Sequence, residues 1–550
     1  MLVVFLLTML LAGPEGEFPI NDDILYTTAV RSLVESGTFR IQGSNAFDFI
    51  PLQLGGLLCS ALGFSYNFLR AISIGFQLFG ALGLYMALKE MGLDRVASAV
   101  FTAVFALNPF LINLSLTFMT DVPALALTNW LFYLIVLAMR KKSLSYWLMS
   151  VGMFTAAISV RQSILVFLPA LVGSGLIALK GFKRKLLFLL SFALPALAFV
   201  ALKSWLRAIS EGNTGDAFAR VLLESALLSP ARILELFSET CCYVGLFVIP
   251  ITVPLTVLIV RRFCQKKWIM LLSFLLSLSV TALPLYFLAL AGKQMPYSQN
   301  LFSPPFIGCY NVIGGESLWA EKYLAIFTCL AALAAVLFVF CIVFAAGNCL
   351  YKNDVRKDLR FFLFAVIVPA LYGLLIQLQT NNLDRYYTLF IAPVLLLFAG
   401  LWSAMQANRF ALVFSTVLSL GLAAYGTAAA SDSMNFHRAQ WQSIRKLEGL
   451  GIDPLRIDGG PQYNRINGGV KLARSYVHTA KEKGWPQAAR GGPVTSTYRW
   501  WPVNRDDYIV SCYFLPGYHV IGGTKYWSAI LWKSKTIYLL EADVVSQARF

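Results

Sequence analysis

Three short stretches set ionisable residues into otherwise apolar sequence. Asp22 and Asp23 lie in N-D-D-I-L-Y (Asn21 to Tyr26), Asp121 in F-M-T-D-V-P, and Asp384 with Arg385 in N-N-L-D-R-Y-Y-T-L-F (Asn381 to Phe390). A carboxylate is expensive at membrane depth unless it faces a polar cavity or a partner, so such positions mark function by default. Adjacent acids repel, so one of Asp22 and Asp23 should be protonated, metal-bound or paired with a cation. The pair could act as a base, ligate a divalent cation such as Mg2+ or Mn2+, or hold a substrate hydroxyl. Arg385 could grip a phosphate with two parallel bonds, with Asp384 orienting it.

Each of these has a plainer reading. Asp22 and Asp23 precede a helical stretch and Asp121 precedes Pro123, so all three could serve as helix caps. Arg385 beside Tyr386 could be an interfacial anchor. Arg161, in S-V-R-Q-S, interrupts a long apolar stretch and could snorkel or face a cavity. Lys203 stands at a span end, where an anionic group would be attracted. The histidines, His437, His478 and His519, show no ligand spacing.

These residues need a membrane frame to position them. The 550 residues are 58% hydrophobic and 13% charged, with a mean hydropathy of +0.67; soluble domains carry about 25% charged residues. The +17 net charge does not describe a nucleic-acid surface, because the basic residues form short runs between apolar segments. Arg140-Lys141-Lys142, Lys183-Arg184-Lys185 and Arg261-Arg262 are examples, and such runs fix orientation in a bilayer. The partner is therefore a membrane and not a nucleic acid. The nine cysteines show no C-x-x-C pairing, so neither a zinc site nor a disulfide framework is indicated.

Apolar runs of spanning length fall at 66–88, 96–115, 122–139, 146–160, 163–179, 186–207, 240–260, 268–290, 322–347, 361–379, 386–404 and 410–429. With the N-terminal segment they predict about thirteen helices, and a cytosolic N-terminus puts every strong basic run on the inner side. Met1 to Gly13 is short for a span and lacks the basic start of a signal peptide; it reads as a first helix whose start is clipped or mis-assigned. Tyr26 to Gly37 predicts a surface helix with a glycine stop, and 50–65 an interfacial or re-entrant helix. After about residue 430 the chain becomes charged and Gly/Pro-punctuated. Gln440 to Leu450 is helical in pattern, and Tyr508 to Ser511 and Thr536 to Leu540 alternate like strands. The expected organisation is a transmembrane region over 1–430, with a first outer loop at 14–65, and a small extracytoplasmic α/β domain over 431–550.

An Asp-acidic-x-x-Tyr first loop (Asp22, Asp23, Tyr26), a T-D-x-P heading the fourth span (Thr120, Asp121, Pro123) and a D-R-Y-Y near the last spans (Asp384 to Tyr387) resemble the membrane-embedded GT-C glycosyltransferases, of the protein-mannosyltransferase and aminoarabinose-transferase type. The order and sidedness of these motifs extend the resemblance over most of the chain. Trp441 to Gly460 is similar to the start of the outer domain in a bacterial branch. The resemblance implies a mainly α, polytopic GT-C fold in the plasma (inner) membrane of a cell envelope. It also implies a sugar donor on a polyprenyl phosphate and inverting transfer to a lipid, glycan or protein acceptor on the outer face. On this pattern Asp22 is the catalytic carboxylate, Asp23 its acidic neighbour and Asp121 the acid heading the fourth span. Arg385 contacts the donor phosphate, with Arg161 and Lys203 as further candidates, while Tyr26, Asp384 and Tyr386 position substrate. Asp22 and Asp23 are the residues for a metal, if one binds. F-D-F-I-P-L departs from the pattern: it offers Asp48, Pro51 and Leu52 without the basic residue some members carry before the P-L step. The rival reading is a carrier or flippase for an anionic lipid-linked sugar. That class places ionisable residues near mid-span and often shows inverted repeats, whereas here they cluster at span ends and no repeat is visible.

Overall fold

The computed structural model describes residues 1–42, 46–211, 230–263, 273–279, 281–282, 286, 295–297, 300–303, 305–310, 312, 321–351, 363, 366–367, 370, 383–467, 507–515 and 517–543. The chain is mainly α-helical with a small C-terminal sheet. Its helices are α1 (Leu2–Ala12), α2 (Asp23–Ser36), α3 (Phe49–Leu62), α4 (Tyr66–Glu90), α5 (Arg95–Ala106), α6 (Pro109–Ser115), α7 (Asp121–Lys141) and α8 (Leu144–Ile158). They continue with α9 (Leu168–Ala178), α10 (Phe182–Ser191), α11 (Ala193–Ile209), α12 (Pro230–Phe247), α13 (Ile249–Phe263), α14 (Glu321–Tyr351), α15 (Ile391–Ala404) and α16 (Arg409–Gly449). Among the described residues six helices are long and apolar enough to cross a membrane, or up to eight if each bent pair is one span. This is a multi-pass membrane protein.

Several expected spans take a different form, and proline accounts for two of them. The run at 96–115 becomes α5 and α6, bent by 63° at Asn108-Pro109. A residue before proline is driven out of the helical region, and the Asn108 side chain caps the second helix by accepting from the Phe110 N–H at 3.0 Å. The run at 240–260 becomes α12 and α13, bent by 89° beside Pro250. The 163–179 run opens as a 3-10 turn (Gln162–Phe167) and becomes α-helical only at Leu168-Pro169. The last run, expected at 410–429, continues without a break to Gly449 as a 41-residue helix. The runs at 268–290 and 361–379 lie largely outside the described residues. Helices also form over the stretches expected at Tyr26–Gly37 and 50–65, as α2 and α3, and α2 ends at Gly37 in the left-handed conformation (φ 73°).

The bundle is drawn tight where it must hold the site. A Cβ placed on Gly80 of α4 would meet the Ala126 Cα of α7 at 2.7 Å, so only glycine allows these helices to approach so closely. Asn129 of α7 donates to the Gly80 carbonyl at 3.0 Å, which fixes the rotation of the helix that begins at Asp121. The first loop is held from two sides by arginines. Buried Arg70 of α4 donates to the carbonyls of Leu116 and Pro14 at 3.1 Å, of Phe18 at 2.5 Å, and of Gly16. From α16, Arg438 donates to the carbonyls of Glu15 (3.1 Å) and Gly13, and Arg445 to that of Glu17 (3.3 Å).

Short strand pairs join β1 (Ile41–Gln42) to β2 (Ser210–Glu211) and β3 (Phe302–Ser303) to β4 (Phe306–Ile307). The C-terminal sheet has β5 (Ile457–Asp458), β6 (Tyr508–Ser511), β7 (Tyr518–Ser528) and β8 (Lys533–Ala542) in the order β5-β6-β8-β7. Only the β5–β6 pair is parallel. The sheet packs on the C-terminal part of α16 through Phe436, Ile444, Leu447, Tyr508, Ile537 and Leu539. Polar links reinforce this: Asp432 accepts from the Ser528 hydroxyl (2.7 Å) and the Ile530 N–H (3.2 Å), and Ser443 donates to Thr524 (2.8 Å).

Replacing Arg70 with leucine strips these carbonyls of their donor and removes the cation beside Asp23. Arg70→Leu should cost about 3 kcal/mol, the scale for breaking a buried charged network. Thermal unfolding in detergent measures it, and faster proteolysis within 13–22 locates the damage in the first loop.

Candidate active site

The site is an alternating row of charges. Arg385, buried at the head of α15 in a 3-10 turn (Asp384–Phe390), donates from Nη2 to the Asp22 Oδ2 at 2.9 Å. Its Nε lies 4.0 Å from the Asp121 Oδ2. Asp121 in turn accepts from the Arg161 Nη1 in a buried ion pair. Tyr386 lies beneath both cations, with its ring centre 4.7 Å from the Arg161 guanidinium carbon and 5.6 Å from that of Arg385. A narrow cleft is lined by Asp121, Arg161, Ser163, Arg385, Tyr386 and Thr388. The Asp22 side chain is 49% exposed whereas Asp121 is 3% exposed, so the row runs from an open carboxylate to a closed one.

Local structure weakens the plainer readings of these acids. Asp22 occupies the N-cap position of α2 but makes no side-chain capping bond; its carboxylate goes to Arg385 instead. Asp121 is the first residue of α7, after an N-cap Thr120 that also makes no side-chain capping bond. Arg161 pairs with Asp121 and lines the cleft, which answers the choice between snorkelling and cavity.

Asp22 and Asp23 part company. Asp23 is buried and accepts from the Ile20 N–H at 2.7 Å. Burial pushes its carboxyl up to about 8, against the pull of Arg70 and of the Ile20 and Phe118 N–H groups. One member of the pair therefore holds a proton and the other a cation, and for Asp23 burial outweighs repulsion by Asp22. Two acids turned to different partners do not gather around one ion. Among the described residues no group of three or more His, Cys, Asp and Glu converges.

The remaining expected residues divide. Tyr26 is buried in the apolar cluster under the first loop, with Phe47, Leu52, Phe118, Leu202 and Leu206. Lys203 lies half-buried on α11 between two members of that cluster and does not line the cleft. Asp384, expected beside substrate, has a different task. Its carboxylate accepts from the Leu301 N–H (3.0 and 3.1 Å) and the Phe302 N–H (2.6 Å), which pins the 301–302 segment. Asp48 gains weight. It is buried in the left-handed conformation (φ 47°), its N–H donates to the Val160 carbonyl at 3.0 Å, and neither carboxylate oxygen has a hydrogen-bond partner. Burial first, and Asp121 second, push this carboxyl well above the usual range, with Arg161 opposing. Sequence reasoning also missed Glu239, buried on α12, which accepts from the Tyr387 hydroxyl at 3.0 Å. An acid at the very edge of the apolar run at 240–260 was its available signal.

Residues 56–205 match the model of the family described as dolichyl-phosphate-mannose-protein mannosyltransferase. That segment holds Asp121, Arg161 and Lys203 but neither Asp22 nor Arg385. The likeness read from the motifs and this match point to the same group of enzymes. No curated protein matches the chain. Among solved structures, the Archaeoglobus fulgidus oligosaccharyltransferase, determined with Zn and sulfate, is 14% identical with a TM-score of 0.44, over 82% of this chain and 57% of that one. The chain thus spans little more than half the length of the archaeal protein. ArnT from Cupriavidus metallidurans is 13% identical in its apo state (TM-score 0.40, 99% of this chain and 97% of that one). Bound to undecaprenyl phosphate, it is 12% identical (TM-score 0.39, 98% and 96%).

The buried Asp23 carboxyl gives a pH prediction. Between the ordinary value of 3.8 and about 8 the folded protein keeps a proton there that the unfolded chain releases. Stability therefore falls as pH rises through that window and levels off above it. Asp23→Asn should flatten the slope, matching wild type near pH 5 and unfolding at a higher temperature near pH 8.5. Thermal unfolding in detergent across that range is the measurement.

Proposed function

We propose that this protein is an integral-membrane glycosyltransferase that moves a sugar from a polyprenyl-phosphate donor to an acceptor hydroxyl, with inversion. The observation that carries the reading is the half-exposed Asp22 carboxylate, held by Arg385 at 2.9 Å above the buried Asp121–Arg161 pair. A base must be reachable and aimed; a cap or a structural ion pair has no need of an open oxygen. The match of residues 56–205 to a mannosyltransferase family supports the same class.

In this reading the acceptor O–H gives its proton to Asp22 as its oxygen bonds to the anomeric carbon. The bond from that carbon to the phosphate oxygen breaks on the opposite face, and the electron pair leaves on the polyprenyl phosphate. A hydroxyl is a weak nucleophile, and a carboxylate base lowers the barrier. Arg385 and Arg161 offset the charge growing on the leaving phosphate, and Asp121 keeps the two guanidinium groups from repelling each other. Asp23 and Tyr26 hold α2, and with it Asp22, in place. Asp48 and Tyr386 flank the sugar. Lys203, half-buried on α11, adds a more distant positive charge for the anionic headgroup. The site would face the extracytoplasmic side of the plasma membrane, with the region after about 430 forming the outer domain; the basic runs on the opposite loops support that orientation. The acceptor is a lipid, glycan or protein hydroxyl.

The test is transfer by purified protein in lipid, supplied with a panel of radiolabelled polyprenyl-phosphate sugars and an envelope extract. Asp22→Asn should lower transfer by about 10²–10⁴-fold, the range for a general base, in protein that still folds and inserts. Full activity in that variant, or transbilayer movement of the donor without transfer, would overturn the reading.

A further inference from the structure

The α3–α4 pair carries a feature that sugar transfer does not use. Leu54, Leu57 and Ala61 of α3 and Ile72, Gly75 and Phe79 of α4 line a groove of about 540 Å³. All of its lining is apolar, none of it is shared with the cleft, and α4 is long and apolar enough to span a membrane. The opposite faces of the two helices are packed inward. A Cβ on Gly55 would meet Leu69 (2.9 Å), Phe118 (3.1 Å) and Val30 (3.2 Å), and Leu52 and Leu69 are fully buried. The groove therefore opens away from the cleft, where Leu54, Leu57 and Phe79 are exposed.

Gly75 sets the groove apart from ordinary span surface. Gly80 and Gly83 of the same helix serve close packing, since a Cβ there would meet Ala126 at 2.7 Å and Trp130 at 2.9 Å. A Cβ on Gly75 would meet nothing within 4 Å. Glycine inside a helix is costly, and no protein neighbour requires this one. A hydrocarbon chain lying along the groove supplies the requirement.

A cation stands where the two helices join. The Arg31 guanidinium carbon of α2 lies 4.5 Å from the ring centre of Phe64, in the α3–α4 turn, and 5.5 Å from that of Tyr66, the first residue of α4. Its Nη2 donates to the Tyr66 hydroxyl at 3.3 Å. Among the described residues no carboxylate pairs with Arg31. Glu17, the acid that also reaches this turn, is taken up by the Ser65 hydroxyl (2.6 Å), the Tyr66 N–H (2.9 Å) and the Asn67 amide (2.5 Å). Because Tyr66 begins a span, Arg31 lies at headgroup level. Tyr66 and Ile72 are about 9 Å apart along the helix, close to the headgroup layer of about 5–8 Å. A phosphate held by Arg31 thus has its hydrocarbon at the groove, and a guanidinium fork suits phosphate oxygens.

We infer that Arg31 and the α3–α4 groove form a phospholipid site, the guanidinium taking the phosphodiester and the groove one acyl chain. The lipid is separate from the sugar donor, because the buried cluster that includes Leu52, Leu69 and Phe118 stands between the groove and the cleft. It bears on the site through α2, which rests on α3 at Gly56, where a Cβ would meet Leu33 at 2.5 Å.

The experiment gives the full-length protein, in detergent, phosphatidylglycerol with a photoactivatable group on one acyl chain, and locates the adducts by mass spectrometry. Adducts should concentrate on 54–61 and 72–79. Unlabelled phosphatidylglycerol should suppress them, and a diacylglycerol with the same chains should not. Arg31→Gln should lower labelling about tenfold by removing a charged hydrogen bond, and Arg31→Lys should keep part of it. Gly75→Phe should lower it as far, by filling the groove without meeting protein. Thermal unfolding checks each variant, and the Gly75 change decides the matter if an Arg31 change fails to fold. Labelling spread evenly over the spans, or unchanged in the folded variants, would overturn the inference. So would suppression by a polyprenyl phosphate at lower concentration than by phosphatidylglycerol, which would give the groove to the donor. A dimer that covers α3 and α4 and leaves them unlabelled would overturn it too.

Discussion

The pairing of Arg385 with Asp22 is the interaction on which the site depends. It joins residues 363 positions apart and ties the loop after the first helix to the head of one of the last spans. Arg385 is buried, so its charge is tolerable only because Asp22 stands at one side and Asp121 at the other. The same logic extends inward, where Asp121 is tolerable because Arg161 meets it. Each group in the row is stabilised by neighbours of opposite sign, and loss of any member would leave an uncompensated buried charge. The exposed end of the row is Asp22, where a carboxylate can exchange its partner for a substrate.

A row of this kind works only if its elements cannot drift. The first loop is gripped through its backbone carbonyls by Arg70 from α4 and by Arg438 and Arg445 from α16. The α7 helix is locked to α4 by the Gly80–Ala126 contact and the Asn129 bond. Asp384 anchors the 301–302 segment and so steadies the turn from which Arg385 projects. The long α16 serves twice, packing in the bundle and carrying the C-terminal sheet on its far end. Arginines placed against carbonyls recur because a span end offers few other donors that reach so far with one side chain.

Much of this frame was legible in the sequence where the information is local. The α2 surface helix, its Gly37 stop and the strands β6 and β8 follow from periodicity within a dozen residues. Spans were legible as apolar lengths, although Pro109 and Pro250 turned two of them into bent pairs that length alone does not disclose. Side-chain roles were less legible. Asp384 sits in the most suggestive of the motifs, yet its carboxylate serves the backbone of Leu301 and Phe302. Which N–H groups lack a strand partner is not written near residue 384. Arg161 left two readings open until Asp121 was found beside it.

By itself the sequence determined that this is a mainly helical membrane chain with a mixed C-terminal region. It also determined that its few carboxylates and arginines at span ends were the residues to watch. The reason is that hydropathy, helical period and the cost of charge in an apolar setting act along a short stretch of chain. Only the tertiary structure decided who pairs with whom: Asp22 with Arg385, Asp121 with Arg161, and Gln462 with the Asn21 carbonyl. It alone decided that Asp23 keeps its proton while Asp22 keeps a cation. Ion pairing and the ionisation of a buried acid depend on distance and on exclusion from water, and both are properties of the packed molecule that no neighbouring residues in the sequence specify.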